Sequence, residues 1–230
     1  MDVDGLWRYP VKSLAGETLP SVAELTTDGL AGDRLVHVRD GTGPLTGRTR
    51  SGLLTLPATT GTDGIPLVDG HRWDTPTALA LVRDRAGASL TAYDGPERFD
   101  ITNLLVATDG AVAHFGYDVR RLRPNLLLGG VGPAEEATWP GRALRIGSAL
   151  VGIYSARQRC IVTSIDPDSG AQDLDVFRRI RQEFANRLAL NSWVIERGRV
   201  GIGDPVTLVE TAATPPHFGG SSVGAPYAVD

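Results

Sequence analysis

The stretch ALRIGSALVGIYSARQRCIVTSI, residues 143–165, decides the fold class. Apolar and β-branched residues form short runs here, and Gly147 and Ser148 separate two of them, so the stretch predicts two or three strands. The turn DPDSG (166–170) follows, in which Asp166 and Asp168 are expected to bond to their own backbone, with proton handling by the two carboxylates as the alternative. Consecutive short strands that end in a tight turn indicate a protein built mainly of β-sheet.

Cys160, the single cysteine of the chain, lies just before this turn, close to Arg157 and Arg159. A free cysteine is usually a small buried hydrophobic residue. An ionised thiol is instead a nucleophile and a metal ligand, and neighbouring arginines lower the pKa of a thiol. On a continuous strand both arginines would alternate away from Cys160, so other basic residues are expected to matter more. These residues alone leave a packing role and a chemical role open.

The composition of the chain limits the classes of protein to consider. With 23 Lys and Arg against 27 Asp and Glu among 230 residues, the net charge of −4 does not suggest a nucleic-acid or anionic-membrane surface. No apolar run approaches the roughly 20 residues of a membrane helix, and the N-terminus does not resemble a signal peptide. One cysteine forms neither an internal disulfide nor a four-cysteine iron–sulfur site. We therefore expect a cytoplasmic globular protein that binds no nucleic acid and no membrane.

Further short strands are indicated on both sides of the central stretch. Asp-Gly pairs predict hairpins at 28–29, 40–41, 63–64, 69–70 and 94–95. Strands are also predicted within 122–130 and 192–210. Helical spacing predicts helices over 102–115 and 173–188, with Thr102 and Asp173 as their N-caps.

The fold prediction is therefore mainly β with some α, an α+β protein with two helices. A boundary near 95–100 divides it into residues 1–97 and 98–210. Residues 211–230 are rich in Pro, Gly, Ser and Ala and are predicted to form a flexible tail.

Six motifs occur in order along residues 5–210: LWRYPVKSLAGE (6–17), GDRLVHV (32–38), LTGR (45–48), RPNLLL (123–128), RCIVTSIDPDSG (159–170) and VGIGDPVTLV (200–209). Together they resemble the MOSC family, named after the C-terminal domain of molybdenum-cofactor sulfurase. Within that family, the motifs resemble those of the amidoxime-reducing and YcbX-type proteins. The resemblance implies an N-terminal β-barrel-like domain and a MOSC β-barrel domain flanked by helices.

The resemblance also implies that the chain binds the molybdenum cofactor, with Cys160 as the protein ligand of the metal. A thiolate is a soft donor, which suits a metal that already carries the sulfur ligands of molybdopterin. The phosphate and pterin of the cofactor need cationic, amide and hydroxyl partners. The motif positions that supply these groups are Lys12, Ser13, Arg34, Arg48, Thr102, Arg123, Asn125 and Arg159. A solvated surface charge is the alternative for any one of the basic residues, and pyridoxal phosphate is not expected.

The segment FDITN (99–103) resembles the part of the amidoxime-reducing proteins that places an aspartate and hydroxyl groups near the metal. Asp100 and Thr102 match this pattern, whereas Ile101 replaces a hydroxyl residue. The resemblance implies a catalytic role for Asp100, and an acid at the N-terminus of a helix is the alternative.

The implied activity is the reduction of N-hydroxylated compounds such as amidoximes, hydroxylamines or hydroxamates. Electrons would come from a separate flavin, ferredoxin or haem protein, since the chain lacks the cysteines of a ferredoxin domain. Two other functions stay open. Cys160 would carry sulfur as a persulfide, or the molybdenum cofactor, in one of them. In the other, a degenerate MOSC domain would act as a structural or regulatory module.

Overall fold

The computed structural model describes residues 1–92 and 98–215 of the chain. The helices in these ranges are α1 Pro76–Ala86, α2 Asp109–Phe115 and α3 Leu174–Glu183. The strands are β1 Asp2–Arg8, β2 Glu17–Thr18, β3 Val22–Thr26, β4 Gly29–Leu30, β5 Val36–Asp40, β6 Gly43–Leu45, β7 Ala58–Thr60, β8 Pro66–Val68, β9 His71–Arg72, β10 Ser89–Ala92, β11 Leu104–Thr108, β12 Leu126–Gly129, β13 Arg142–Ile146, β14 Ala149–Gln158, β15 Arg187–Glu196, β16 Gly198–Gly201 and β17 Val206–Glu210.

An eight-stranded sheet runs in the order β17-β13-β14-β15-β11-β12-β1-β2 and curls into a half-barrel. β11 and β12 are parallel, and the other neighbouring strands are antiparallel. β13 and β14 form the hairpin predicted from the central stretch, with Ile146 opposite Ala149. β14 then leads the chain to Gln158, two residues before Cys160. The predicted α+β fold, mainly of strands, is confirmed.

Three small antiparallel sheets complete the strand pairing: β10-β5-β6, β16-β3-β4 and β7-β8-β9. Hairpins form at the Asp-Gly pairs 28–29, 40–41, 63–64 and 69–70, as predicted. The pair 94–95 lies outside the described residues.

The packing of the core links the beginning of the chain to its C-terminal half. β1 pairs with β12, β3 pairs with β16, and the largest apolar cluster joins side chains from all four strands. A second apolar cluster is drawn from residues 11–90. The division at residues 97 and 98 and the flexible tail at 211–230 stay predictions; residues 216–230 lie outside the described ranges.

The helix predicted over 102–115 is wrong in its first half. Residues 104–108 form β11, and α2 begins only at Asp109 with Thr108, not Thr102, as its N-cap. Consecutive apolar residues such as LLVA fit a buried strand as well as a helix. Pairing with β12 and β15 selects the strand.

Three other local predictions also differ from the structure. The helix predicted over 173–188 has its N-cap at Asp173 as expected, but it ends at Glu183 because the next strand begins at Arg187. Residues 161–164, predicted as strand, form a 3-10 turn. α1 was missed, although the sequence carries its signals, namely Thr75 as N-cap, Pro76 in the first turn and Gly87 after the last.

Gly110 in α2 gives a test of how tightly this helix packs. A Cβ at this position would lie 2.2 Å from the carbonyl oxygen of Val131. Alanine normally stabilises a helix relative to glycine, but here we expect Gly110→Ala to lower the free energy of unfolding by about 1–3 kcal/mol. Chemical denaturation measures the change, with Gly41→Ala as control because that position has open space around it. An unchanged or raised stability in Gly110→Ala would contradict the packing described.

Candidate functional site

A cavity brings together all ten residues that the sequence predicted for the site: Lys12, Ser13, Arg34, Arg48, Asp100, Thr102, Arg123, Asn125, Arg159 and Cys160. Arg157 also lines it, so six cationic side chains face one carboxylate among the described lining residues. All six are buried or half-buried, so they are not ordinary solvated surface charges. In a chain with a net negative charge, this arrangement creates a local site for anions. The individual roles of the ten residues stay predictions.

Unusual backbone conformations place several of these side chains. Ser13, Arg34 and Arg123 have φ values of 75°, 52° and 56°, in the left-handed region that residues other than glycine seldom occupy. Such conformations cost about 1–2 kcal/mol each relative to ordinary ones. Residues held in such conformations at the wall of a cavity are typical of a functional site that the surrounding fold holds in place.

Asp100 lies at the centre of a group of cations. Its carboxylate is 2.9 Å from Lys12 Nζ, 3.2 Å from Arg157 Nη2 and 3.9 Å from Arg48 Nη2. Burial would raise the pKa of this carboxyl, but Lys12 and Arg157, with Arg48, hold the pKa well below its usual range. Asp100 is therefore ionised at neutral pH. The alternative role at the N-terminus of a helix is wrong, because the element that follows is a strand.

Two arginines of the cavity contact the same aromatic ring. The guanidinium carbons of Arg34 and Arg123 lie 5.1 and 4.3 Å from the centre of the Tyr9 ring. Arg34 also forms an ion pair with the buried Asp33, and Arg123 Nη2 donates to the carbonyl of Leu14 at 2.7 Å. Burial raises the pKa of Tyr9 to about 12, despite the arginines beside it, so its hydroxyl stays protonated.

Cys160 is half-buried and lines the cavity, so it is not sealed in the apolar core. Its carbonyl accepts hydrogen bonds from the backbone N–H of Thr163 at 3.1 Å and from the Thr163 hydroxyl at 2.9 Å. Arg121 approaches the same turn, with Nη1 3.4 Å from the Thr163 carbonyl and Nη2 2.8 Å from Asp166. The turn that carries the thiol is thus tied to the segment that precedes Arg123.

The expectation that Arg157 and Arg159 alternate away from the cysteine is wrong. The pairing of β14 with β15 is irregular at several points, and the strand ends before Cys160, so strict alternation does not extend to the thiol. Arg157 bonds to Asp100 and to Asn191 Oδ1. Arg157 is thus a site residue that was not predicted from the sequence, although its position beside the cysteine motif was a usable signal.

Arg159 is buried and only partly bonded. Its Nη2 donates to the Leu122 carbonyl at 2.8 Å, whereas its Nε has no hydrogen-bond partner within the described part of the chain. Burial, together with repulsion from Arg157, lowers the pKa of Arg159 to about 10, so this side chain remains a cation at neutral pH. A buried donor without a partner beside a cavity is suited to binding an anionic ligand.

Asn125 and Thr102 mainly bond to the protein backbone. Asn125 Oδ1 accepts from Leu105 N–H at 3.1 Å and Nδ2 donates to the Trp7 carbonyl at 3.3 Å, which joins β11 and β1. The Thr102 hydroxyl donates to the Leu104 carbonyl. These bonds give both residues a role in shaping the cavity wall, and direct contact with a cofactor stays a prediction.

Of the two aspartates in the DPDSG turn, Asp166 bonds to the backbone of the turn as expected, whereas the described contacts of the Asp168 carboxylate are with an arginine. Asp166 Oδ1 accepts backbone hydrogen bonds from Asp168 and Ser169, and Asp166 also pairs with Arg121. Asp168 pairs with Arg120. Neither aspartate lines the cavity, so proton handling beside a metal finds no support in their position.

The donor set of the cavity fits the molybdenum cofactor. One thiol, Cys160, supplies a soft ligand, and the cationic side chains with the unpartnered Nε of Arg159 supply partners for a phosphate.

No helix within residues 1–92 and 98–215 has the length and apolar character to span a membrane.

Comparison with known proteins assigns part of the chain to a family. Residues 105–207 match the family model of the MOSC domain, so this part of the chain is a MOSC domain. Two curated proteins, both named mitochondrial amidoxime reducing component 2, from Macaca fascicularis and Homo sapiens, are each 29% identical to this chain over 126 residues. The match covers 46% of this chain and 37% of each relative, so it spans little more than a third of those proteins.

The crystal structure of the YuaD protein from Bacillus subtilis has a similar fold. Its TM-score is 0.50 at 12% sequence identity, and the superposition covers 91% of this chain and 96% of that one. At this identity the likeness extends to the fold alone.

Proposed function

We propose that this protein is a molybdenum-cofactor-binding oxidoreductase that reduces N-hydroxylated compounds with electrons from a separate donor protein. The observation that carries the proposal is the position of Cys160, within the stretch that matches the MOSC domain, in a cavity lined by six cations. The names of the two amidoxime-reducing relatives support the type of substrate. The single cysteine, which cannot form a disulfide within the chain, supports a cytoplasmic location.

In this proposal, different residues of the cavity bind different parts of the cofactor. Cys160 would be the protein ligand of the metal, because a thiolate is the soft donor available. Arg34, Arg123 and Arg159 would bind the phosphate, with Ser13 and Thr102 close to the pterin. When bound, the cofactor would supply two-electron redox chemistry and accept oxygen, which protein side chains do not do.

The reaction breaks the N–O bond of the substrate. An N-hydroxylated compound takes up two electrons from the donor protein and two protons from solvent, and it leaves as the N–H compound and one water. The ionised Asp100 is not a proton donor at neutral pH. It would instead accept a hydrogen bond from the N–OH or amino group of the substrate and orient it, while Ile101 offers an apolar wall.

The test is an assay of the purified protein from cells supplied with molybdate. We expect about one molybdenum per chain and conversion of benzamidoxime to benzamidine when a reduced viologen replaces the donor protein. Molybdenum-loaded protein that converts no amidoxime, hydroxylamine or hydroxamate would contradict the proposed activity. Metal-free protein that releases sulfur with cyanide would instead indicate a persulfide carrier. Protein that holds neither would indicate a structural module.

A further inference from the structure

Tyr9 lies directly behind two arginines of the cavity without lining the cavity itself. Both guanidinium carbons are within the roughly 6 Å over which a cation is attracted to an aromatic ring. The ring is 3% exposed, and a Cβ on Gly16 would approach it to 2.4 Å, so its neighbours fix it in place.

Backbone contacts tie the same residues together. The Arg34 N–H donates to the Tyr9 carbonyl at 2.7 Å, and the Tyr9 N–H donates to Asp33 Oδ1 at 2.7 Å. Asp33, which is fully buried, also pairs with Arg34. Arg34 and Arg123 each have a positive φ, so the backbone as well as the ring sets the direction of their side chains.

The charges around the ring do not cancel. Among the described residues that line the cavity, six cations face one carboxylate, Asp100, and Asp33 beneath them pairs with Arg34. The cations therefore outnumber the carboxylates, and this excess of positive charge favours an anion with two negative charges over one with a single charge. Without that anion the guanidinium groups of Arg34 and Arg123 repel each other, and the electron-rich face of the ring offsets the repulsion.

We propose that Tyr9 is a positioning residue whose ring holds Arg34 and Arg123 as a pair, so that they form, with Arg159, a site for a phosphate-type dianion. The ring carries this role and the hydroxyl does not. Tyr9 Oη is buried and has no hydrogen-bond partner among the residues that the structure describes. The inference rests on the proposed function only in identifying the dianion as the phosphate of the cofactor.

The test compares sulfate with perchlorate, which are both tetrahedral but carry two charges and one. Binding is measured by calorimetry at constant ionic strength, on full-length protein made in cells that cannot synthesise molybdopterin. We expect the unaltered protein to prefer sulfate and Tyr9→Phe to stay within about twofold of it, because the ring is kept. Tyr9→Leu and Tyr9→Met should weaken sulfate binding about tenfold, and perchlorate binding much less. Tyr154→Leu, which removes a ring outside the cavity, should change neither.

Folded Tyr9→Leu and Tyr9→Met proteins that keep the preference for sulfate would overturn the inference, as would unaltered protein with no such preference. A second measurement does not depend on the folding of the Tyr9 variants. If Arg34 and Arg123 share one dianion, Arg34→Met and Arg123→Met should each lose nearly as much sulfate affinity as the double variant. Additive losses would contradict a shared site.

Sulfate affinity and molybdenum content, measured on the same variants, distinguish a failure of this inference from a failure of the proposed function. A sulfate preference that depends on Tyr9, in a protein that never acquires molybdenum from competent cells, would uphold the dianion site and reject the proposed enzyme. Full molybdenum content in Tyr9→Leu and in the double arginine variant would reject the identification of the dianion as the phosphate of the cofactor and would leave the proposed enzyme standing.

Discussion

Replacing Cys160 with serine is expected to lower the molybdenum content of the purified protein about tenfold or more. Even residues that only support a metal ligand typically change metal affinity by 10–100-fold, and Cys160 is proposed as the ligand itself. A serine hydroxyl is nearly the same size as the thiol, but it is a hard and weakly acidic donor that does not replace a soft thiolate. The loss should therefore arise from the change of donor atom and not from a change of shape.

Elemental analysis of both proteins from the same molybdate-supplied cells measures the effect. Because the Cys160 carbonyl, not its sulfur, accepts the bonds from Thr163, Cys160→Ser should unfold at nearly the same temperature as the unaltered protein. Thr163→Val is the matched control, since it removes a hydroxyl bond from the same turn and keeps the thiol. Molybdenum bound equally by Cys160→Ser and by the unaltered protein would contradict the role of the sulfur.

Replacing Asp100 with asparagine is expected to change stability and anion binding in opposite directions. The substitution leaves Lys12 and Arg157 without their shared carboxylate, and we expect the free energy of unfolding at pH 7 to fall by about 2 kcal/mol. It also removes the single carboxylate among the described residues that line the cavity, so the protein should bind sulfate more tightly. An ordinary destabilising substitution would not improve binding.

The low pKa of Asp100 also predicts how its contribution to the free energy of unfolding changes with pH. The pKa of Asp100 is lower in the folded protein than in the unfolded chain, where an aspartate has a pKa of about 3.9. The stability that Asp100 contributes is therefore present in full above about pH 4 and is lost as the pH falls through its lower folded-state value. Denaturation curves between pH 7 and pH 3 should show the difference between the two proteins shrinking at the acid end.

Asp63→Asn is the matched control for this experiment, because Asp63 pairs with Arg72 on the exposed surface. Its effect at pH 7 should stay below about 1 kcal/mol. A difference between Asp100→Asn and the unaltered protein that stays constant down to pH 3 would show that Asp100 does not owe its effect to its charge.

The fold class could be predicted from the sequence because it depends on local signals, whereas the members of the cavity were predicted from the resemblance to the MOSC family. Asp-Gly pairs mark hairpins through backbone preferences that act within four residues. The motifs that contain Lys12, Arg34, Arg123 and Cys160 are separate in sequence, and the fold brings their side chains into one cavity. These residues were selected because they match the motifs of the MOSC family, not because the sequence revealed how close together they lie.

Predictions failed where distant contacts override local preference. Residues 104–108 carry a spacing that fits a helix, yet two neighbouring strands pair with them. Arg157 was not selected because side chains alternate in direction along a regular strand, which would point it away from Cys160. The pairing of β14 is irregular and does not follow this alternation. Tyr9 was not selected because nothing in the sequence reveals that two arginines more than 80 residues apart contact its ring.

A crystal structure of the cofactor-loaded protein, measured at the X-ray absorption edge of molybdenum, would show whether Cys160 binds the metal. We expect the strongest anomalous peak to lie within bonding distance of Cys160 Sγ, inside the cavity lined by the six cations. A peak elsewhere on the protein, or molybdenum in the cavity without a bond to that sulfur, would contradict this expectation.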